Sequence, residues 1–181
     1  MLANQQLSQL VIVDMQVKLA SVMPAEALQS VVKNCGVLAQ AAQLLAVPTI
    51  LTEQYPQGLG ETLTEIRQHL PNCKPVTKTA FSACGEPKFS QQLHRDKPQI
   101  ILAGMEAHIC VLQTALALLQ AGKQVFVAED AVISRNPANK ANALARLRDA
   151  GCVISNTESV MFEWLGTASH EAFKAISKLI R

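Results

Sequence analysis

The stretch Gln99-Ile100-Ile101-Leu102-Ala103-Gly104 decides the fold. It is a short apolar run with β-branched residues, which indicates a strand buried on both faces of a sheet. Five residues, Met105 to Ile109, separate this strand from Cys110. Cys110 stands in the first turn of an apolar helix predicted for residues 107–121, and Gly122 ends that helix. A buried strand that runs into an apolar helix is typical of a parallel sheet.

The same alternation of strand and helix continues in both directions along the chain. The other predicted strands cover residues 10–13, 47–52, 75–79, 124–129 (ended by Asp130) and 152–155, and the other predicted helices cover about residues 25–46, 61–70, 86–95, 136–150 and the C-terminal stretch. Such alternation predicts right-handed crossovers and a parallel sheet covered by helices on both faces. Neither a repeat nor a linker interrupts it, so we expect residues 1–181 to form a single domain.

Composition narrows the class of protein. Hydrophobic residues make up 49% of the chain, which is enough for a substantial core, whereas charged residues make up only 17%. The low charge predicts that some apolar surface is covered in a homo-oligomer, a dimer or larger, and the apolar helix at residues 111–119 is the candidate surface. The formal net charge of +2, without a dense basic run, argues against a nucleic-acid partner.

Location and redox state are predicted from the N-terminus and the cysteines. Residues 1–6 lack the basic and apolar regions of a secretory signal, and no apolar run approaches the ~20 residues that span a bilayer. The five cysteines form no CxxC pair, which disfavours a zinc ribbon or a thioredoxin motif. We therefore expect a cytoplasmic protein with no membrane partner, no metal and no cofactor.

Two polar residues follow predicted strands, where ligands bind in open parallel sheets. Asp14 comes directly after Val13, although a helix cap or a turn would also explain an aspartate there. Cys110 lies at a predicted helix N-terminus, where the helix dipole and unpaired N–H groups favour a thiolate and could form an oxyanion hole. The alternative is that this cysteine only packs in the core.

Lys78 and His108 complete the candidates that the residues themselves suggest. Lys78 lies in a β-prone stretch, where it is either a solvated edge-strand lysine or a buried ammonium that needs a partner. His108 precedes Cys110 by two residues, a spacing that disfavours a Cys–His dyad on a helix but allows a place in the pocket wall.

Three blocks of sequence carry a resemblance to a known family. They are Val11-Ile12-Val13-Asp14-Met15-Gln16, Thr77-Lys78-Thr79-Ala80-Phe81-Ser82, and Leu102-Ala103-Gly104-Met105-Glu106-Ala107-His108-Ile109-Cys110-Val111. In this order and spacing the chain resembles the isochorismatase-like cysteine hydrolase superfamily over nearly its whole length. The segment Thr52-Glu53-Gln54-Tyr55-Pro56-Gln57-Gly58-Leu59-Gly60 looks like the subgroup of isochorismatase domain-containing proteins.

The resemblance implies both a fold and a site. The fold is a three-layer, Rossmann-like α/β sandwich with a central, mostly parallel sheet of about six strands. The site is a catalytic triad of Asp14, Lys78 and Cys110, with a cis peptide at Met105–Glu106 and oxyanion donors in the N–H groups of Glu106 and Cys110. The substrate pocket is expected to be lined by Gln16, Tyr55, Phe81 and His108, with Trp164 as a further candidate.

Two departures from the relatives guide the expected chemistry. Nicotinamidase relatives hold a metal with an Asp-x-His motif after the second strand, whereas this chain has Thr52-Glu53-Gln54 there. Isochorismatases that cleave a vinyl ether lack the cysteine nucleophile that is present here as Cys110. The resemblance therefore implies metal-independent hydrolysis of a small molecule, first of all an amide, through a thioester. Two alternatives stay open: a non-catalytic binding or scaffold protein, and a redox-responsive thiol protein.

Overall fold

A computed structural model of the chain describes residues 1–180 and contains a six-stranded sheet whose strands are all parallel. The strands are β1 (Ser8–Val13), β2 (Thr49–Gln54), β3 (Val76–Lys78), β4 (Gln99–Met105), β5 (Gln124–Ile133) and β6 (Val153–Ser155). The α-helices are α1 (Val17–Ala20), α2 (Ala25–Leu44), α3 (Pro56–Leu59), α4 (Thr64–Arg67), α5 (Pro87–Gln92), α6 (Leu112–Gln120), α7 (Pro137–Asp149), α8 (Thr157–Leu165) and α9 (Phe173–Leu179).

Every residue of the central strands β1 and β4 is buried, because helices cover both faces of the sheet. Leu10 and Ile12 belong to the core formed with α2, α8 and α9, whereas Val11 and Val13 belong to the core formed with α6 and α7. Successive side chains of a β-strand point to opposite faces of the sheet, and each face packs against a different layer of helices. The predicted three-layer α/β sandwich is confirmed.

The strand order β3-β2-β1-β4-β5-β6 places a switch point at the centre of the sheet. The chain moves outward from β1 to β3 and then returns to β4 on the other side of β1. Ligands of open α/β sheets bind at the carboxyl ends of the strands beside such a switch. Asp14 follows β1 and Cys110 follows β4, so both residues flank this point.

Gly104 brings the ends of β1 and β4 into unusually close contact. It has a φ of +119°, and a Cβ at this position would lie 2.0 Å from the carbonyl oxygen of Val13. Only glycine is compatible with this backbone and this contact. The close approach draws together the two turns that carry Asp14 and Cys110.

The prediction that Asp130 ends the fifth strand is wrong, because β5 continues to Ile133. Between Val127 and Val132 the pairing with β4 shifts, and Glu129 and Asp130 fall in this irregular part of the strand. The Oδ1 atom of Asp130 accepts hydrogen bonds from the N–H and the hydroxyl of Thr157 at 2.8 and 2.9 Å. A bulge therefore accommodates acidic residues that normally stop a strand.

Two predicted helices differ most from their expected ranges. The helix predicted for residues 61–70 is the single turn α4, because Glu53 Oε1 accepts hydrogen bonds from the N–H and hydroxyl of Thr62 and holds that segment extended. The helix predicted for residues 107–121 is divided into a π-helical turn, Ala107–Val111, and α6. Within residues 1–180 no helix is both long and apolar enough to cross a membrane.

Candidate active site

Asp14 occupies the turn that leaves β1 and is completely buried. Its φ of +50° lies in the left-handed region, which aspartate tolerates better than most residues. Its N–H donates to the carbonyl oxygen of Thr52 at 3.1 Å, and its Oδ1 accepts from the Thr52 hydroxyl at 2.6 Å. Strand β2 therefore fixes both the backbone and one carboxylate oxygen of Asp14.

Lys78 is the last residue of β3 and is 1% exposed, so it is not a solvated edge-strand lysine. Its Nζ donates to Gln54 Oε1 at 2.6 Å, to the Phe81 carbonyl oxygen at 3.0 Å and to the Ala80 carbonyl oxygen at 3.2 Å. The same Nζ lies 2.7 Å from Asp14 Oδ2. A buried ammonium with this set of partners satisfies the requirement that buried charges be paired and hydrogen-bonded.

The other carboxylate oxygen of Asp14, Oδ2, has a charged neighbour but no hydrogen-bond donor among the described residues. Nζ of Lys78 approaches Oδ2 at 2.7 Å, but off the direction of a hydrogen bond, and no group among residues 1–180 donates a hydrogen bond to Oδ2. The contact is thus a close ion pair that leaves a lone pair of Oδ2 unused. An unused acceptor in a dry site can receive a proton from a neighbouring donor.

Cys110 lies in the π-helical turn between β4 and α6 and is 7% exposed. Burial raises the pKa of its thiol to about 12, the Asp14 carboxylate contributes to this rise, and the Lys78 ammonium opposes it. A helix N-terminus by itself favours the thiolate. In the structure, burial outweighs the neighbouring positive charge and favours the protonated thiol.

The turn between β4 and Cys110 contains a cis peptide bond between Met105 and Glu106, at the position that the resemblance implies. The carbonyl oxygen of Glu106 accepts from the N–H groups of Ile109 and Val111 at 3.1 and 3.2 Å. The Glu106 carboxylate is turned toward Arg135, whose backbone N–H and Nε donate to it at 3.0 and 3.1 Å. The turn is therefore held from β5 as well as from β4.

The predicted pocket residues fall into two groups. Tyr55 and Phe81 are 56% and 55% exposed and flank Lys78: Tyr55 N–H donates to the Lys78 carbonyl oxygen, and Lys78 Nζ donates to the Phe81 carbonyl oxygen. His108 is half-buried, and its Nδ1 lies 2.9 Å from the Ser134 hydroxyl beyond β5. Tyr55, Phe81 and His108 thus follow the carboxyl ends of β2, β3 and β4, respectively.

Gln16 and Trp164 have other surroundings. Gln16 is completely buried, and its side-chain amide pairs with the backbone N–H and carbonyl of Gln54 at 2.7 and 3.0 Å, so its polar atoms face the protein. Trp164 Nε1 donates to the hydroxyl of Ser8, the first residue of β1, at 3.0 Å. Trp164 therefore lies at the amino edge of the sheet, and the expectation that it lines the pocket is wrong.

Two residues of β2 contact the candidate triad and were missed as site residues from the sequence. Thr52 contacts Asp14, and Gln54 contacts Lys78. They are two apart on one strand, so both side chains point to the same face. Their spacing at the carboxyl end of a strand is the sequence signal for this pair of residues.

Among residues 1–180 no three His, Cys, Asp or Glu side chains gather as metal ligands. A groove of about 780 Å³ lies elsewhere, between α2, α4 and α9, and none of the triad residues lines it. The groups that lie together at the carboxyl edge of the sheet are a buried thiol, a carboxylate and an ammonium.

Comparison with known proteins identifies the family. Residues 8–159 match the model of the isochorismatase domain. The chain belongs to the isochorismatase family. Isochorismatase domain-containing protein 2 from Bos taurus is 41% identical over 177 residues, which cover 96% of this chain and 83% of that protein.

Solved structures of isochorismatase-like folds agree with this assignment. The MAR1 ribonuclease of Caenorhabditis elegans superposes with a TM-score of 0.94 at 36% identity, covering 99% of this chain and 92% of that one. YcaC from Pseudomonas aeruginosa, solved with hexane-2,5-diol and covalent acrylamide, superposes with a TM-score of 0.87 at 28% identity, covering 98% and 91%. The chain thus has the isochorismatase-family hydrolase fold.

Proposed function

We propose that this member of the isochorismatase family is a metal-independent cysteine hydrolase that cleaves a small amide at its C–N bond. One observation carries the proposal: the unused Oδ2 of buried Asp14 shares its surroundings with Lys78 and with the Cys110 thiol. A protonated nucleophile, a base with a free lone pair and a fixed positive charge are the parts that nucleophilic catalysis needs.

The first half of the reaction forms a thioester. Asp14 Oδ2 takes the thiol proton while the sulfur bonds to the amide carbon, and the carbonyl electrons move to its oxygen. The N–H groups of Glu106 and Cys110 donate to that oxygen, an effect worth roughly 2.7–4 kcal/mol for one such donor. Asp14 then gives its proton to the nitrogen as the C–N bond breaks. The Lys78 ammonium stabilises the negative charges of the Asp14 carboxylate and of the Cys110 sulfur during these steps.

The second half regenerates the thiol. Asp14 takes a proton from water as the water oxygen attacks the thioester carbon. The C–S bond breaks, the acid leaves, and the proton on Asp14 returns to the sulfur. Base assistance of this kind contributes typically 10²–10⁴-fold to the rate. Tyr55, Phe81 and His108 surround the bound substrate, and no cofactor takes part.

The covalent acrylamide in the structure of a relative supports a reaction of the Cys110 thiol with small electrophiles. The P. aeruginosa YcaC structure contains covalent acrylamide, which is a small amide with an activated double bond. We infer that Cys110 is the group that reacts with such molecules in this chain. Adduct formation by acrylamide adds the thiol across the double bond, so it reports on the nucleophile without requiring turnover.

The test combines turnover with a matched cysteine variant. The Cys110→Ala protein should release ammonia from a panel of small primary amides at least about 10³-fold more slowly than the unaltered protein. Cys152→Ala removes a thiol of similar burial and should leave the rate unchanged. Activity that survives in Cys110→Ala would refute the proposal. Tight retention of a metabolite without turnover would favour a binding protein, and a reversible sulfenic acid at Cys110 would favour a redox-responsive thiol.

A ribonuclease is the second candidate, because the C. elegans relative at 36% identity carries that name. The small net charge of +2 offers little electrostatic attraction for RNA, whose binding depends on neutralised phosphates. Incubation of labelled single-stranded RNA with the unaltered protein and with Cys110→Ala decides between the two. Cleavage that depends on Cys110 would replace the amidase proposal.

The homo-oligomer stays a prediction that the surface supports. Leu116 and Leu119 on α6 are only half-buried, and the aromatic side chains of Tyr55 and Phe81 are mostly exposed beside the site. A second copy of the chain would cover such apolar area. Light scattering on the purified protein gives the mass of the assembly directly, and a monomer would contradict the prediction.

A further inference from the structure

Lys78 has no N–H group left for Asp14. An ammonium carries three donors, and the three acceptors at hydrogen-bonding distance and direction are Gln54 Oε1, the Ala80 carbonyl and the Phe81 carbonyl. Asp14 Oδ2 is a fourth neighbour at 2.7 Å, which is attracted by the positive charge of Lys78 but accepts no hydrogen bond from it. Two of the three acceptors are backbone atoms, so the Gln54 side chain is the only one of these three acceptors that a substitution can remove.

Gln54 is held in one orientation by its own contacts. Its Nε2 donates to the Thr79 carbonyl at 2.7 Å, which requires the amide nitrogen on that side and the oxygen on the side of Lys78. Its backbone N–H and carbonyl both pair with the buried amide of Gln16. The oxygen that meets Lys78 is therefore fixed by three neighbouring segments of chain.

The two carboxylate oxygens of Asp14 differ as a result. Oδ1 accepts a short hydrogen bond from Thr52 at 2.6 Å, whereas Oδ2 accepts none among the described residues. If Lys78 were free to turn one N–H toward Oδ2, that hydrogen bond would stabilise the ionised carboxylate and make Oδ2 a weaker acceptor for the proton of the Cys110 thiol. The acceptor on Gln54 prevents this turn.

We propose that Gln54 is a positioning residue whose Oε1 accepts a hydrogen bond from one N–H of Lys78 and so keeps Asp14 Oδ2 open to the Cys110 thiol. The proposal rests on the role of Asp14 as base in the proposed function. It makes β2 a contributor to the site, although β2 supplies neither the nucleophile nor the base.

The experiment measures the rate of iodoacetamide labelling of Cys110 by mass spectrometry, with Cys152 of the same molecule as internal standard. Gln54→Leu and Gln54→Met remove the acceptor and should slow Cys110 labelling at neutral pH about tenfold, while Cys152 is unaffected. Gln54→Glu keeps an oxygen for Lys78 and should stay within about threefold of the unaltered protein. Gln40→Leu, at a half-buried glutamine of α2, is the matched control.

A double-mutant cycle separates positioning from a merely structural role. If Gln54 acts through Asp14, Gln54→Leu should have no further effect in an Asp14→Asn background. The inference is overturned if Cys110 in Gln54→Leu and Gln54→Met labels as fast as in the unaltered protein, or if Gln54→Glu is as slow as Gln54→Leu at equal Tm. Failure of the proposed function looks different, because Cys110 of the unaltered protein would then label no faster than Cys152.

Discussion

Cys110, in the turn after β4, and Cys152, just before β6, are two buried cysteines in different surroundings. Their exposed fractions are 7% and 5%, and both belong to the same hydrophobic core. Burial raises the pKa of Cys152 to about 11, with no charged group among the causes. The pKa of Cys110 is raised to about 12 by burial and by Asp14, against the influence of Lys78.

The difference teaches that acidity alone does not single out the candidate nucleophile. Judged by pKa, Cys152 would form thiolate more readily than Cys110. What distinguishes Cys110 is a neighbouring carboxylate oxygen with no hydrogen bond among the described residues and a fixed ammonium beside it. Perturbations of the Cys110 region should therefore change its reactivity while Cys152 serves as the reference.

The largest expected effect comes from Gly104→Ala. The new Cβ would lie 2.0 Å from the Val13 carbonyl oxygen at a φ of +119°, so β1 and β4 must separate where they carry the site. We expect a loss of about 4 kcal/mol or more in the free energy of unfolding, measured by urea denaturation. Gly122→Ala, with a φ of +79° and nothing within 4 Å of the Cβ, should cost only about 1–2 kcal/mol. Equal losses in the two variants would contradict the close-contact explanation.

The comparison also shows what the sequence could reveal. Strand periodicity predicted the parallel sheet, and the strand ends singled out Asp14 and Cys110, because both signals are local. The burial of Lys78 and its contact with Gln54 depend on the pairing of β2 with β3, which is not local. The continuation of β5 past Asp130 depends on Thr157, which lies 27 residues further along the chain. The catalytic roles of all these residues stay predictions.

The next effect in size is expected for Lys78→Met, which leaves the Asp14 charge buried without its partner. Breaking a buried ion pair in this way destabilises a protein by about 3–5 kcal/mol. Urea denaturation should show this loss, whereas Lys88→Met at an exposed position should stay within about 0.5 kcal/mol. The double variant Lys78→Met with Asp14→Asn should be more stable than Lys78→Met alone, because it removes the uncompensated charge. A double variant that is less stable would argue against the ion pair as the cause.

Asp14→Asn tests whether the carboxylate removes the proton of Cys110 as a base or only changes the pKa of the thiol through its negative charge. The Asp14 charge raises the pKa of Cys110, so if only the field mattered its removal would speed iodoacetamide labelling of Cys110. As a base, Asp14 assists removal of the thiol proton, and its loss should slow labelling at pH 7 by about 10²-fold. Labelling of Cys152 should be the same in both proteins. Faster labelling of Cys110 in Asp14→Asn would refute the base.

The smallest effect is in the pH dependence of labelling between pH 7 and pH 9. Cys152, with its pKa raised to about 11, should react about tenfold faster for each pH unit, because only the growing fraction of free thiolate reacts. Cys110, with its pKa raised to about 12, should rise less steeply in the unaltered protein, because Asp14 removes the proton during the reaction. In Asp14→Asn the slope at Cys110 should return to about tenfold per unit. Parallel slopes for the two cysteines in the unaltered protein would mean that both react only as free thiolates, and the difference between their surroundings would then have no chemical consequence.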